Sequence, residues 1–424
     1  MDSKLPAFHN KEESLKEYWT GKEKIKGTPE VNVNRIHYSF DTYEREQQFL
    51  KAQFPTKSEQ IIYRQYRAEW HRRAHEFDAG DAPLAVNCEL VSTCNLACTM
   101  CYTITKEFRN SVTGAQRMMP WPQVKAIIDE CAKMDVPSIS FSWRGESTLY
   151  QYSEGNTLIT FPDVLKYARD KNILEITSLT HGQLIDTEMA TAIVNAEPNW
   201  ISFSMDGIHD QYNKIRTPKN LQGTNFDSFS KVVENIRTLI RIRNQQGKTR
   251  PQIRSNAIYP AIHNNKREYR EFLQSIGIDL ITVNELLDLR NGEITNDMIM
   301  ENWSCQYPFQ RLTVSANGII LPCTGAHKEQ SGLILGRYVG SSQKLVHDVK
   351  GQPVKIDLPQ LSLKDAWNCD KIEQIRKLHQ AGRRTEINPG CKHCNHGVKK
   401  FGAQRLPADW DKNNLSWTSL NRKG

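Results

Sequence analysis

Cys94, Cys98 and Cys101 follow one another at the spacing C-x3-C-x2-C, and Tyr102 comes directly after. No other run constrains the chain so tightly. Three thiolates this close together can hold three irons of a [4Fe–4S] cluster, whose protein ligands are usually four cysteines. The fourth iron is then open to a substrate or cofactor. The run follows an apolar stretch, Leu84-Ala85-Val86-Asn87-Cys88-Glu89-Leu90-Val91, that reads as a strand. The thiols therefore belong to a loop that leaves a strand end. A zinc knuckle would ordinarily need four ligands, often as C-x2-C pairs. Unrelated buried thiols are the plainest alternative.

The surrounding pattern predicts an α/β fold. Candidate strands are 85–91, 138–143, 174–179, 200–205, 252–258 and 280–283, and candidate helices are 122–134, 161–171, 187–196, 226–246 and 266–276. Strands that alternate with helices predict parallel β/α units with right-handed crossovers. Six such units make a partial (β/α)6 barrel, open on one side. In β/α barrels the chemistry lies at the C-terminal strand ends, where the cysteine loop sits. Residues 1–81 read as a helical extension that caps the barrel. Over 42–77 the helical spacing marks Phe49, Phe54, Ile61, Ile62, Tyr66, Trp70 and Phe77 as inward faces. The barrel is expected over 82–300, a small C-terminal domain over 301–405 and a tail over 406–424.

With 424 residues, 38% of them hydrophobic, the chain can bury a sizeable core and form two or three domains. No apolar run approaches the length of a bilayer span. The start, Met1-Asp2-Ser3-Lys4-Leu5-Pro6, lacks the charged-then-apolar layout of a signal, so a cytoplasmic location is expected. Ten cysteines in such a chain point to metal or redox chemistry and not to a disulfide scaffold. The formal net charge of +8 is spread over helix faces and the tail. It fits an anionic substrate, and equally a solvated surface. Neither a membrane nor a nucleic-acid partner is expected.

The cysteine run with its following tyrosine resembles the radical S-adenosylmethionine (SAM) superfamily. In that family the open iron chelates the methionine part of SAM, and the reduced cluster cleaves it to a 5′-deoxyadenosyl radical. Further motifs stand at successive strand ends. Trp143-Arg144-Gly145-Glu146-Ser147 resembles the Gly-Gly-Glu motif that binds the SAM amino group, with Arg144 in place of the first glycine. Thr180-His181-Gly182 stands where the family often has Thr-Asn-Gly. Ser204-Met205-Asp206-Gly207, with Tyr212, Asn213 and Arg216 beyond, is similar to the Ser-Leu-Asp-Gly…Arg pattern of members with an extra cluster domain. The resemblance implies that Tyr102, Gly145, Glu146, Thr180, Ser204 and Asp206 surround SAM. Arg216 is a candidate for its carboxylate, since arginine forks onto carboxylates, and Arg254 is the rival. The alternative for Arg216 is a surface ion pair.

A second cysteine set follows. Cys305 and Cys323 are spaced C-x12-G-x4-C around Gly318, and Cys391-Lys392-His393-Cys394 comes later. Between the first pair, Leu312 to Leu321 reads as a hairpin with Asn317-Gly318 at its tip, which would bring the two cysteines together. The layout resembles the twitch domain, the shortened form of the SPASM domain. That resemblance implies a second, auxiliary [4Fe–4S] cluster on Cys305, Cys323, Cys391 and Cys394. A zinc site on the same thiols, or with His393 or His396 as a substitute, is the alternative. No cysteine follows Cys394, so two auxiliary clusters are not expected.

Cys88, Cys131 and Cys369 remain. Cys131 reads as helix packing. Cys88 or Cys369 could donate hydrogen to a substrate radical, as a cysteine does in some radical SAM epimerases. Strand alternation, counted back from the cluster loop, would turn Cys88 into the barrel. The resemblance implies hydrogen abstraction from a small sugar-like or natural-product substrate, ending in dehydrogenation or epimerisation. It also implies a flavodoxin- or ferredoxin-type electron donor. A peptide-modifying maturase is one alternative, and a non-catalytic iron–sulfur or zinc interaction protein is another.

Overall fold

The computed structural model describes residues 30–31, 43–106, 108, 117–219, 226–284, 294–326, 329, 332–340, 346–347, 353–354, 358–399 and 417–418. The start Met1–Pro6, Thr42 and most of 406–424 lie outside them. Six parallel strands form the centre of one sheet: β1 Ala85–Cys88, β2 Ser138–Ser140, β3 Glu175–Thr180, β4 Trp200–Ser204, β5 Gln252–Ile258 and β6 Leu280–Asn284. Each neighbouring pair is parallel, in chain order. The expected strands are all present, with ends that differ from the expected ones by up to three residues. Helices Trp121–Lys133, Phe161–Asp170, Thr187–Ala196, Ser228–Gln245 and Lys266–Ser275 alternate with them. The fold is thus mixed α/β around a large parallel sheet.

The sheet does not stop at β1. Strand β7, Arg311–Val314, pairs parallel with β1 in the register Arg311 with Ala85 and Val314 with Cys88. It turns back antiparallel into β8, Ile319–Leu321, then β9, Gly336–Tyr338, and β10, Gln360–Leu361, extend that edge. The hairpin read from 312–321 is therefore also a continuation of the barrel sheet. Gly318 at its tip has φ +82°, which suits a glycine. A hairpin that sequence patterning missed, Gln151–Glu154 with Thr157–Thr160, follows the second strand loop. A two-residue strand, Glu30–Val31, runs parallel to Trp303–Ser304.

Side chains alternate along a strand, so the two faces of the sheet can be told apart. Val86, Cys88, Ile139, Ile176, Ile201, Phe203, Ile253, Ile281 and Val283 are buried in one core with the helices. The opposite, inward face carries Asn87, Ser140, Thr177, Ser202, Asn256 and Asn284, all only partly buried.

The N-terminal helices Tyr43–Gln53 and Lys57–Glu76 cover the other end of the strands. The second is started by a capping box between Thr56 and Glu59, a device with an N-cap worth about 0.5–2 kcal/mol. Phe49, Phe54, Tyr63, Tyr66 and Trp70 form a second core with Leu84, Ala85 and Trp200, which stand at strand starts. Phe49 stacks on Trp200 at 5.2 Å between centroids. Tyr66 Oη donates to Glu175 at the start of β3 at 3.3 Å. Two expected inward residues are corrected: Ile61 and Ile62 are 53% and 44% exposed, while Tyr63 is fully buried. The buried stripe runs Tyr63, Tyr66, Trp70, Ala74 at helical spacing, with Arg67 and His71 alongside, and both isoleucines fall off it.

Candidate functional site

The loop carrying Cys94, Cys98 and Cys101 lies beyond the C-terminal end of β1, opposite the N-terminal helices. Backbone hydrogen bonds hold it: Ala97 N–H to Thr217 at 2.8 Å, Thr99 N–H to Ile215 at 3.1 Å and Lys219 N–H to Asn95 at 2.8 Å. Glu146 N–H donates to the Thr93 carbonyl at 2.9 Å, one residue before Cys94. The three thiols face one another closely enough for the charges of Cys98 and Cys101 to act on Cys94. Burial, reinforced by the Glu146 carboxylate, pushes the Cys94 thiol up to about 12. Burial likewise pushes Cys98 up to about 11, with Arg216 pulling the other way. Buried thiols of this kind become thiolates when metal takes the place of the proton.

Gly145 stands against this loop. A Cβ there would meet the Val91 carbonyl at 2.2 Å and the Thr93 carbonyl at 2.6 Å. Only glycine allows the second strand loop to approach the cysteine loop this closely. Glu146 is buried and accepts from Thr180 Oγ1 at 2.6 Å, Thr148 Oγ1 at 2.6 Å and the His181 N–H at 2.9 Å. The carboxylate thus ties the ends of β2 and β3 together. His181 Nδ1 accepts from Gln183 N–H at 3.0 Å, so its Nε2 proton points to Asn95 Oδ1, 2.7 Å away. Burial lowers the pKa of His181, which keeps the ring neutral. Neither His181 nor Asn95 is among the site residues expected from the sequence. The departure from Thr-Asn-Gly at His181 was the available signal.

Arg144, which replaces the first motif glycine, is a structural arginine. It is buried against Glu89, with Nη2 2.6 Å from Oε2, and reaches Glu329 at 2.9 Å. Glu89 also accepts the Ala316 N–H at 3.0 Å. This buried group joins the end of β1, the second strand loop and the β7–β8 hairpin.

Ser204 and Asp206 stand at the end of β4. Asp206 accepts from the Ile258 N–H at 2.8 Å and from Arg216 Nε at 2.9 Å. Arg216 Nη1 in turn lies 3.6 Å from the Cys98 sulfur. Arg216 is ion-paired with Asp206, and the pair is largely buried rather than on the surface. Arg254 is placed elsewhere, in mid-strand, with its guanidinium 4.3 Å from the Trp200 ring. Trp200 belongs to the core under the strand starts, so Arg254 sits towards the closed end, away from the cysteine loop. Tyr102 is buried in the turn that follows Cys101, edge-on to Phe108.

The second cysteine set converges as well. Cys305, Cys323, Cys391 and Cys394 line one cavity with Trp303, Tyr307, His379 and His396. Among the described residues no three histidine, cysteine or carboxylate side chains gather as a single metal ion would require. The four thiols border a space, and Trp303 and His379, which line it too, each carry a buried N–H without a protein acceptor, on Nε1 and Nε2 respectively. A group with several sulfur acceptors fits these donors. Burial pushes Cys323 up to about 12 and holds Cys305 and Cys391 well above the usual thiol range.

Cys88 is corrected. It does not face the barrel interior: it is fully buried on the helix side, with its sulfur 3.7 Å from that of Met119. Strand β1 ends at Cys88, so the irregular residues before Cys94 carry no alternation from one to the other. Cys369 lies between helices Leu363–Asn368 and Asp370–Gln380 and donates to the Ala366 carbonyl at 3.4 Å.

The radical SAM superfamily model matches residues 89–244. A SPASM model, described as an iron–sulfur cluster-binding domain, matches residues 305–395. The chain is a radical SAM protein with a C-terminal SPASM domain. Its cofactors are a [4Fe–4S] cluster with SAM, and auxiliary iron–sulfur in the SPASM domain. This radical SAM protein is 32% identical over 146 residues to an Fe-coproporphyrin III synthase of Methanosarcina barkeri, which covers 34% of this chain and 32% of that one. It is 24% identical over 216 residues to a tungsten-containing aldehyde ferredoxin oxidoreductase cofactor-modifying protein of Pyrococcus furiosus, covering 50% and 54%. The radical SAM chain thus spans about a third of the length of the first of these curated relatives and about half of the second. Among solved structures, Streptococcus suis SuiB bound to S-adenosylmethionine is similar over 82% of this chain and 81% of its own, at 15% identity and a TM-score of 0.48. BtrN in complex with AdoMet and 2-DOIA is similar over 73% and 92%, at 14% identity and a TM-score of 0.38. Among the described residues no helix is long and apolar enough to cross a membrane.

Proposed function

We propose that this radical SAM protein dehydrogenates a small, hydroxyl-rich substrate of the sugar type inside its barrel. The observation that carries this reading is the inward face of the sheet. Asn87, Ser140, Thr177, Ser202, Asn256 and Asn284 are neutral, polar and partly open, whereas the outward neighbours are closed and mostly apolar. Such a wall offers donors and acceptors to hydroxyl groups, with Leu179 and Ile258 as partly open apolar residues on the same face. The curated relatives lend some support, because their names concern Fe-coproporphyrin III and a cofactor rather than a peptide.

Cys94, Cys98 and Cys101 would hold the SAM cluster. Gly145 and Glu146 would shape the wall beside the SAM amino group, Thr180 and Ser204 would line the same end, and Asp206 would hold Arg216 against Cys98. When bound, reduced cluster and SAM supply the radical that abstracts hydrogen from an unactivated C–H bond. Cys305, Cys323, Cys391 and Cys394 would hold a second [4Fe–4S] cluster suited to take the substrate's second electron. A flavodoxin- or ferredoxin-type protein would supply the first electron. Dehydrogenation is favoured over epimerisation because neither Cys88 nor Cys369 stands on the inward face to return a hydrogen atom.

The test is incubation of reduced, reconstituted enzyme with SAM and candidate sugars in deuterated water. A product oxidised by two electrons is expected. Solvent deuterium at an inverted stereocentre would replace dehydrogenation by epimerisation. Cys88→Ala and Cys369→Ala are both expected to retain product formation within about threefold, the cost of Cys88→Ala being a small core cavity. Loss of product with 5′-deoxyadenosine still formed, in either variant, would point to a thiol donor.

The cluster count is a separate check. Anaerobically reconstituted protein is expected to hold about eight irons, two clusters of four. Cys391→Ala should disturb the second cluster alone, since its cavity and the Cys94–Cys101 loop share no ligand. Stoichiometric zinc beside a filled first cluster would overturn the assignment of the second site.

A further inference from the structure

We infer that His379 and Trp303 donate hydrogen bonds to the auxiliary cluster and thereby raise its reduction potential. The inference rests on the reading that Cys305, Cys323, Cys391 and Cys394 hold that cluster.

His379 lies on the helix Asp370–Gln380 and is fully buried. Its Nδ1 accepts the Cys305 N–H at 3.1 Å and stands 3.4 Å from Ser304 Oγ. A ring nitrogen that accepts from a backbone N–H carries no proton, so the proton of the neutral ring is on Nε2. That Nε2–H is buried and has no acceptor in the protein. Trp303 repeats the situation. Its indole Nε1–H, which can only donate, is buried without an acceptor. Both side chains line the cavity that the four thiols border. Two unmet buried donors beside four sulfur ligands are satisfied together once sulfide and thiolate acceptors fill the space. The tautomer also settles what His379 is not. A protonated Nε2 offers no lone pair to iron or zinc, so His379 is a positioning residue and not a fifth ligand.

The consequence is electronic. Reduction adds negative charge to the cluster, and N–H dipoles aimed at its sulfurs stabilise the reduced form. Two such donors make the cluster a better electron acceptor, which a substrate oxidation needs.

The test isolates the second cluster in full-length protein carrying Cys94→Ala, Cys98→Ala and Cys101→Ala together. The protein is reconstituted anaerobically, iron and sulfide are counted, and the midpoint potential is read by titration monitored with electron paramagnetic resonance. Trp303→Phe keeps the aromatic bulk and removes only the N–H. His379→Leu removes the donor, and His379→Gln keeps an N–H that can reach the same space. Trp303→Phe and His379→Leu are each expected to shift the potential negative by about tenfold in the redox equilibrium, roughly 59 mV for one electron. His379→Gln should recover most of that shift. Iron-replete Trp303→Phe and His379→Leu with unmoved potentials would overturn the inference alone. A parent that holds no cluster at the second site would overturn the cluster reading, and the inference with it. If His379→Leu fails to bind iron, Trp303→Phe decides in the same two directions.

Discussion

Cys98→Ala reduces 5′-deoxyadenosine formation after dithionite reduction to background, while the fold survives. The loop around Cys98 is held by backbone groups, Ala97 and Thr99 donating to Thr217 and Ile215, and alanine keeps those bonds. What alanine removes is one of three thiols and the sulfur that Arg216 approaches at 3.6 Å. Two thiols cannot fix a cluster that normally takes four cysteine ligands, so SAM loses the iron it would chelate. The measurement is nucleoside yield by chromatography, with circular dichroism to check the fold. A yield near that of the parent would sink the assignment of the loop.

Arg144→Ala is expected to cost about 3–5 kcal/mol of stability, the range for removing one partner of a buried ion pair. Arg144 and Glu89 side chains are 3% and 1% exposed. Without the guanidinium, Glu89 keeps the backbone N–H groups of Ala316 and of residue 144 and loses its hydrogen-bonded counter-charge. The cost should be read by chemical denaturation. Adding Glu89→Gln should recover part of it, because the remaining group is then neutral. A loss below about 1 kcal/mol would mean that solvent reaches Glu89. The variant should also weaken SAM binding, because Arg144 precedes Gly145, whose backbone presses on Val91 and Thr93.

The two predictions differ in how much of their basis could be read from the chain. Cys98 could be chosen from spacing alone. Arg144 could be seen only as a departure from Gly-Gly-Glu, and its partners could not be named. Glu89 lies 55 positions away and Glu329 185 positions away. His181 and Asn95 are a similar case, two polar residues on different loops that meet only when β1 and β3 share a sheet. In the sequence Arg216 is the candidate that its motif carries, and Arg254 is its rival. The fold separates them, because one stands at the end of the helix His209–Ile215, beyond β4 and beside Cys98, and the other in mid-strand over Trp200.

By itself the sequence determined what depends on near neighbours. The period-2 and period-3.6 patterns located six strands and the helices between them, and chain order then made the strands parallel. Cysteine spacing determined the first thiol set, since ligands within one loop need no distant partner. Tertiary structure decided whatever depends on which face meets what. It turned Cys88 to the helices, exposed Ile61 and Ile62, and set β7 beside β1 so that the SPASM hairpin prolongs the barrel sheet. It also brought Cys391 and Cys394 to Cys305 and Cys323, with Trp303 and His379 around them. The physical reason is common to all of these. Local propensity acts over a few residues, whereas burial and hydrogen-bond satisfaction are settled between segments that meet only on folding.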